Sequence, residues 1–177
     1  MSDLQCAATV LLAQHGEAED GAPPVPDAGG ALTERGRHQA RLLADRLRER
    51  RVAVVYSSPV APAVQTAEIA ADVLGVAVRV REDLRGPSAG ESGHEVVARV
   101  RAELETVSDL HRGESVLVVS QGGVVSASVA DLAQNLPRHR APGRTLGPGA
   151  LVEVAADADG WWVRSWAGAP VADPGTG

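Results

Sequence analysis

Apolar positions along this chain fall into short bursts whose period switches between two and about 3.6, and the switches mark the elements. Ala7 to Leu12 is a short, mostly apolar run with the length of a buried strand. The following segment, residues 18–31, is rich in Gly and Pro and has no amphipathic period, so it reads as a flexible loop. Thr33 is placed to cap a helix whose apolar stripe is Ala40, Leu43, Ala44 and Leu47, with arginines on the wet face. Val52 to Ser57 is a second strand. The helix after it has Ser58 as candidate cap, Pro59 and Pro62 in or near its first turn, where proline is tolerated, and Gly75 as terminator. The run VAVRVR, residues 76–81, alternates strictly and predicts a strand with one wet face.

Leu84 to Gly93 is Gly-rich and irregular, and a helix follows from about His94 to Leu110 with Val96, Val100, Leu104 and Val107 on one face. Ser115 to Ser120 is apolar on both faces, as a central parallel strand requires, and a helix starts directly after it. Residues 150–166 predict a hairpin turning at Asp157 to Gly160, and the tail from Ala167 predicts a fraying end. Strands alternating with helices indicate one α/β domain spanning residues 1–177, a three-layer sandwich around a mostly parallel sheet of about six strands. In such folds chemistry sits at the carboxyl ends of the strands. Three unusual segments leave strands there: QHGE, SSPVAPAVQTAE and SQGG.

Composition narrows the function classes. With 177 residues, 44% hydrophobic and 23% charged, the chain has the balance of a soluble globular protein able to bury a core. Its net charge of −6 argues against nucleic acid or an anionic membrane as partner. All 17 basic side chains are Arg and Phe is absent, which reads as the bias of a GC-rich coding sequence. A single cysteine, Cys6, excludes an internal disulfide and a cysteine-based zinc site. The start MSDLQCAA has no basic and apolar leader pattern, and no apolar run approaches the ~20 residues that span a bilayer, so a cytoplasmic protein is expected.

The unusual segments, in their order, resemble the histidine phosphatase superfamily, also called phosphoglycerate mutase-like. LLAQHGE is similar to the family's L-V-R-H-G-E, LTERGRHQA to its first-helix signature, VYSSPVAPAVQTAEIAA to S-S-P-L-x-R-A-x-Q-T-A-E, and GESVLVVSQGG to G-E-x-V-L-V-V-S-H-G-G. The resemblance covers nearly the whole chain. It implies a nucleophilic histidine that becomes phosphorylated, two arginines and a second histidine that form the phosphate pocket, and an acidic proton donor in the central loop.

Carried over residue by residue, the resemblance places the nucleophile on His15. The pocket arginine before it falls on Gln14, the arginine of the S-S-P helix on Pro62, the second histidine on Gln121 and the proton donor on Gly86. Gly16, Glu17 and Gly122 would complete the lining. The resemblance therefore implies a fold whose nucleophile survives while its charged pocket is gone, needing no cofactor and no metal. Three functions are expected: a pseudoenzyme with a binding or regulatory role toward a small molecule or protein partner; a weak or rebuilt phosphatase using His15; or an enzyme of another reaction class acting on a less charged substrate. A monomer or homodimer fits each.

Each residue also has a plainer reading. His15 can be an inherited histidine held by backbone bonds. Glu17 can cap a nearby amide. Ser92 and Glu95 form a capping-box pattern, against which Glu91 or His94 could instead hang over the pocket as a replacement acid. His38, His111 and His139 read as solvated, Trp161, Trp162 and Trp166 as packing for the hairpin, and Arg81 and Arg85 as surface arginines that could alternatively restore pocket charge.

Overall fold

The computed structural model describes residues 6–19, 30–136 and 146–171. Its elements are β1 (Ala8–Gln14), α1 (Glu34–Leu47), β2 (Val52–Ser57), α2 (Ala61–Leu74), β3 (Val78–Val80), α3 (Gly93–Leu110), β4 (Ser115–Ser120), α4 (Gly122–Leu132), β5 (Leu151–Asp157), β6 (Gly160–Trp166) and β7 (Ala169–Pro170). Single 3-10 turns lie at Arg48–Arg50 and Glu82–Leu84. The strands form one sheet in the order β3-β2-β4-β1-β5-β6-β7. β3, β2, β4 and β1 run parallel, and β5, β6 and β7 continue antiparallel. The sheet is thus mixed and has seven strands among the described residues, where the sequence pattern gave about six. The additional one is Ala169–Pro170, which pairs back onto Ser165 and Trp166. Its approach is a tight turn with φ of 48° at Ala167 and 85° at Gly168, so the described part of the expected fraying tail extends the sheet.

Strand alternation sorts the core into two faces. Val10 and Leu12 of β1, Val116 and Val118 of β4, and Val54 and Tyr56 of β2 pack with Val96, Val100 and Leu104 of α3, with α4, and with Trp161 and Trp166. Leu11, Ala13, Leu117, Val119 and Val55 point the other way, onto Leu43 and Leu47 of α1 and Ala63, Ala67 and Ala70 of α2. Period-two alternation on strands covered by helices on both sides gives this three-layer arrangement directly.

Local chemistry sets the helix ends. Thr33 Oγ1 accepts from the Gly36 amide at 2.9 Å at the start of α1. Ser92 and Glu95 complete the capping box of α3. Gly75 ends α2 in the left-handed conformation at φ 70°. Ser58 does not cap α2. Pro59 after it favours extended backbone, the Ser58 amide bonds to Val119 of the sheet at 2.9 Å, and the cap position is Val60, with no side-chain bond. β1 runs two residues further than its apolar pattern, because Ala13 and Gln14 still pair with Val119 and Ser120. The base of the Gly/Pro-rich loop is closed by a bridge between Ala18 and Leu32, and residues 20–29 lie outside the described residues, as do His139 and residues 172–177. No helix among the described residues is long and apolar enough to cross a membrane.

Candidate active site

β1, β4 and β2 are neighbours, so their carboxyl ends deliver His15, Gln121 and Ser58 to one edge of the sheet. The His15 amide donates to Ser120 O at 3.1 Å, continuing the β1–β4 ladder by one residue. The ring is half-buried, and its Nδ1 lies 2.7 Å from Gly16 O. A carbonyl only accepts, so Nδ1 carries a proton, and in the neutral imidazole Nε2 is the nitrogen with the lone pair.

Gly16 is itself fixed from below. Its amide donates to Thr66 Oγ1 at 3.0 Å, and that hydroxyl donates to Pro62 O at 2.7 Å. Pro62, buried in the first turn of α2, is thereby tied to the His15 loop through one hydroxyl. Glu17 holds the other side: its amide donates to Gln39 Oε1 at 2.7 Å, and its carboxylate accepts from Thr33 Oγ1 at 2.9 Å and pairs with Arg35 at 3.5 Å. The carboxylate's partners are side chains of α1 and its cap, rather than a backbone amide.

Gln14 and Gln121 converge. A Cβ built on Gly122, the first residue of α4, would lie 2.8 Å from Gln14 Cδ. Only glycine lets the amide of Gln14 lie against the start of that helix. Gln14 Oε1 is buried there without a hydrogen-bond partner, facing the positive end of the α4 dipole. Gln121 is the N-cap residue of α4. Ser120 Oγ donates to Leu84 O at 2.7 Å and lies 2.9 Å from the Gln121 side-chain amide, whose Nε2 lies 3.0 Å from where a Cβ of Gly86 would stand. Gly86 therefore faces Gln121. Ser58 is fully buried, with an unpartnered Oγ.

The arginines of the central loop are engaged elsewhere. Arg81 pairs with Glu103 at 3.3 Å, without hydrogen-bond geometry, and stacks 5.4 Å from the Tyr56 ring centre. Burial pushes the Glu103 carboxyl up, against the opposing pull of Arg81. Arg85 bonds Glu91 Oε2 at 2.9 Å, Gly86 O at 3.1 Å and the Ser88 hydroxyl. Arg99 of α3 takes both oxygens of Glu91, at 2.8 and 2.9 Å. It also donates to the carbonyls of Asp83, Arg85 and Gly86.

Glu91 is thus a clasp. Its bonds from Arg99, the Ser88 amide and Arg85 hold its carboxyl down at about 2. That keeps it ionised at neutral pH, the opposite of what a proton donor needs. His94 is exposed at the start of α3, beside a shallow groove floored by Val97, Ala127 and Ala130. Among the described residues no three His, Cys, Asp or Glu side chains gather as a metal would require.

His111 departs from the solvated position expected for it. Its side chain is 12% exposed, its Nδ1 is 2.7 Å from Glu114 and its Nε2 is 3.0 Å from the Tyr56 hydroxyl. Trp161 and Trp166 are buried in the core, and Trp162 is half-buried on the hairpin.

Comparison with known proteins places this geometry in context. The family model of the histidine phosphatase superfamily (branch 1) matches residues 10–87 and 85–168. The chain is similar to phosphoglycerate mutase-like protein 4 of Arabidopsis thaliana, at 28% identity over 171 residues covering 76% of this chain and 73% of that protein. It is similar also to the probable phosphoglycerate mutase GpmB of Photorhabdus laumondii, at 29% identity, covering 89% of each. In fold it matches a putative alpha-ribazole-5'-P phosphatase from Escherichia coli with a TM-score of 0.78 at 20% identity, covering 94% of this chain and 99% of the other. A mycobacterial glucosyl-3-phosphoglycerate phosphatase complexed with VO3 matches with a TM-score of 0.75 at 22% identity, covering 89% and 98%.

Proposed function

The chain belongs to the histidine phosphatase superfamily, and from that premise we propose that it is a cytoplasmic pseudoenzyme: a ligand-binding or regulatory protein in which phosphoryl transfer has been reduced to background. What supports this reading is the uncharged residue at each position where the resemblance expects a charged pocket group. Gln14, Pro62, Gln121 and Gly86 are all uncharged, Gln14 lies against the start of α4, Gln121 faces Gly86, and Arg81 and Arg85 each pair with a carboxylate.

Phosphoryl transfer depends mainly on positioning and on electrostatic stabilisation of a group carrying nearly two negative charges. A hydrogen bond from a charged donor contributes about 1.5–3 kcal/mol, and an arginine acting on the transition state about 10³–10⁵ in rate. Gln14 and Gln121 retain hydrogen bonding without charge. Pro62 offers no side-chain donor, and Gly86 offers no acid.

A second reading, a weak phosphatase, is favoured by one feature. The bond from His15 Nδ1 to Gly16 O leaves Nε2 as a ready nucleophile. The test is turnover of an aryl phosphate, with His15→Ala as control, together with acid-quench trapping of phosphohistidine. The pseudoenzyme reading expects no difference between the two proteins and no trapped species. A His15-dependent rate within about tenfold of ordinary enzymes, whose median kcat is about 10 per second, would establish the second reading instead.

A further inference from the structure

We infer that Thr66, the threonine of QTAE in α2, is the positioning residue of His15: its hydroxyl holds the Gly16 peptide and so selects the neutral imidazole form with the proton on Nδ1. The inference concerns which nitrogen of His15 is free. It holds whether or not turnover remains and is independent of the proposed function.

The partners of this hydroxyl fix its roles. Pro62 O is a carbonyl and only accepts, so the one Thr66 hydroxyl proton goes to it, at 2.7 Å. The Gly16 amide only donates, and it reaches a lone pair of the same oxygen at 3.0 Å. Thr66 is fully buried, so water has no access from which to take over either bond. Gly16 O in turn takes the proton of His15 Nδ1 at 2.7 Å. The path from α2 to the imidazole contains no group whose donor and acceptor ends could be exchanged.

Gly16 needs such a hold. Lacking a Cβ, it has more backbone freedom to lose than any other residue. Its C=O stays aimed at the ring only while the amides on both sides of it are tied. The His15 amide before it is fixed by the sheet, donating to Ser120 O at 3.1 Å. The Glu17 amide after it donates to Gln39 Oε1 of α1 at 2.7 Å. Its own amide depends on Thr66. Gln65, the neighbour of Thr66, accepts from the Leu32 amide at 2.8 Å. Consecutive side chains of α2 thus grip both ends of the segment that joins β1 to α1. Free imidazole in water favours the proton on Nε2, so the Nδ1–H form has to be imposed by a fixed acceptor, here the Gly16 carbonyl.

Two-bond ¹H–¹⁵N imidazole spectra of the full chain, recorded at about pH 8 where an ordinary histidine is neutral, report which ring nitrogen carries the proton. His15→Ala assigns the His15 signals. Wild type is expected in the Nδ1–H form. Thr66→Val keeps the shape and removes the hydroxyl, and it is expected to lower the ratio of Nδ1–H to Nε2–H by at least about fivefold, the worth of one hydrogen bond. Thr66→Ser can make both bonds again and is expected to restore the ratio to within about twofold. Far-UV spectra and urea midpoints establish that each variant is folded. Thr66→Ala removes the same hydroxyl with less bulk and takes the place of Thr66→Val should that protein not fold. A wild-type His15 in the Nε2–H form overturns the inference, whichever variants fold. So does a folded Thr66→Val or Thr66→Ala with the wild-type ratio. A Thr66→Ser ratio shifted as far as that of Thr66→Val overturns it as well, because methyl packing rather than the hydroxyl would then be responsible. Aryl phosphate turnover in the same samples bears only on the proposed function.

Discussion

Gly36 and Gly16 are where α1 touches the loop that carries His15. A Cβ on Gly36 would stand 2.9 Å from the Glu17 carbonyl carbon, and one on Gly16 2.9 Å from the Gly36 carbonyl carbon. Both obstacles are backbone, which cannot rotate away. Gly36→Ala is therefore expected to destabilise the fold by about 1–3 kcal/mol, the usual cost of overpacking, seen as a lower urea midpoint with unchanged slope. It should also disturb the His15 Nδ1 bond, visible as a shifted imidazole resonance.

At this scale the sequence was informative where motifs carry position. HGE and LTERG bring His15, Thr33 and Gly36 into register, and the S-S-P segment puts Pro62 on the turn tied to Gly16 through Thr66. It was silent where a partner is distant in sequence. His111 is shielded because Tyr56, 55 positions away, meets it on the α3 face of the sheet, which no local pattern announces. Arg81 and Arg85 could be placed near the pocket but not paired: Glu103 reaches Arg81 only after α3 folds back, and Glu91 reaches Arg85 through the turn of an irregular loop with no periodic signal.

Among the elements, the central loop and α3 act as one piece. Arg99 on α3 binds three carbonyls of the loop, and Glu91 joins Arg99 to Arg85. Gly86 is held opposite Gln121 by this clasp. The carboxyl of Glu91 is lowered from its ordinary 4.5 to about 2. A depressed carboxyl contributes stability that is complete above its unfolded value and is lost as pH falls through its folded value. The stability difference between wild type and Glu91→Gln should therefore be constant from neutral pH down to about 5 and shrink steadily as pH falls from 4.5 toward 2. Hydrogen exchange at the amides of Gly86, Ser88 and Glu91, followed across that range, is the readout. A difference that stays level across the range would mean that the clasp carries no linked proton.

The helix ends of α1 and α3 were legible because capping is local. The start of α2 was not, because Pro59 and Pro62 override the serine before them. β3 is only three residues of an alternating run twice as long, with Val78, Arg79 and Val80 pairing with Val55, Tyr56 and Ser57 of β2.

At the scale of the molecule, the order β2-β4-β1 turns three sequence-distant segments into one site. That the three segments leave strand ends followed from alternating periods, and that they meet in one site was implied by the family resemblance. The antiparallel half was only partly legible. β5 and β6 read as a hairpin, but nothing local shows that β5 docks on β1, or that Ala169 and Pro170 add a last strand.

The proposed function holds that uncharged residues stand at the positions 14, 62 and 121 where a phosphate pocket needs charge, and restoring the charge tests it. Calorimetry at low salt would compare inorganic phosphate binding to the parent, to Gln14→Arg, Pro62→Arg and Gln121→His singly, and to the triple variant. The single changes are expected to gain little, because groups that act as a unit are non-additive. The parent should bind at about millimolar or weaker, near −4 kcal/mol, and the triple variant at least about tenfold tighter. Micromolar affinity in the parent, or a folded triple variant that binds no better than the parent, would contradict the account.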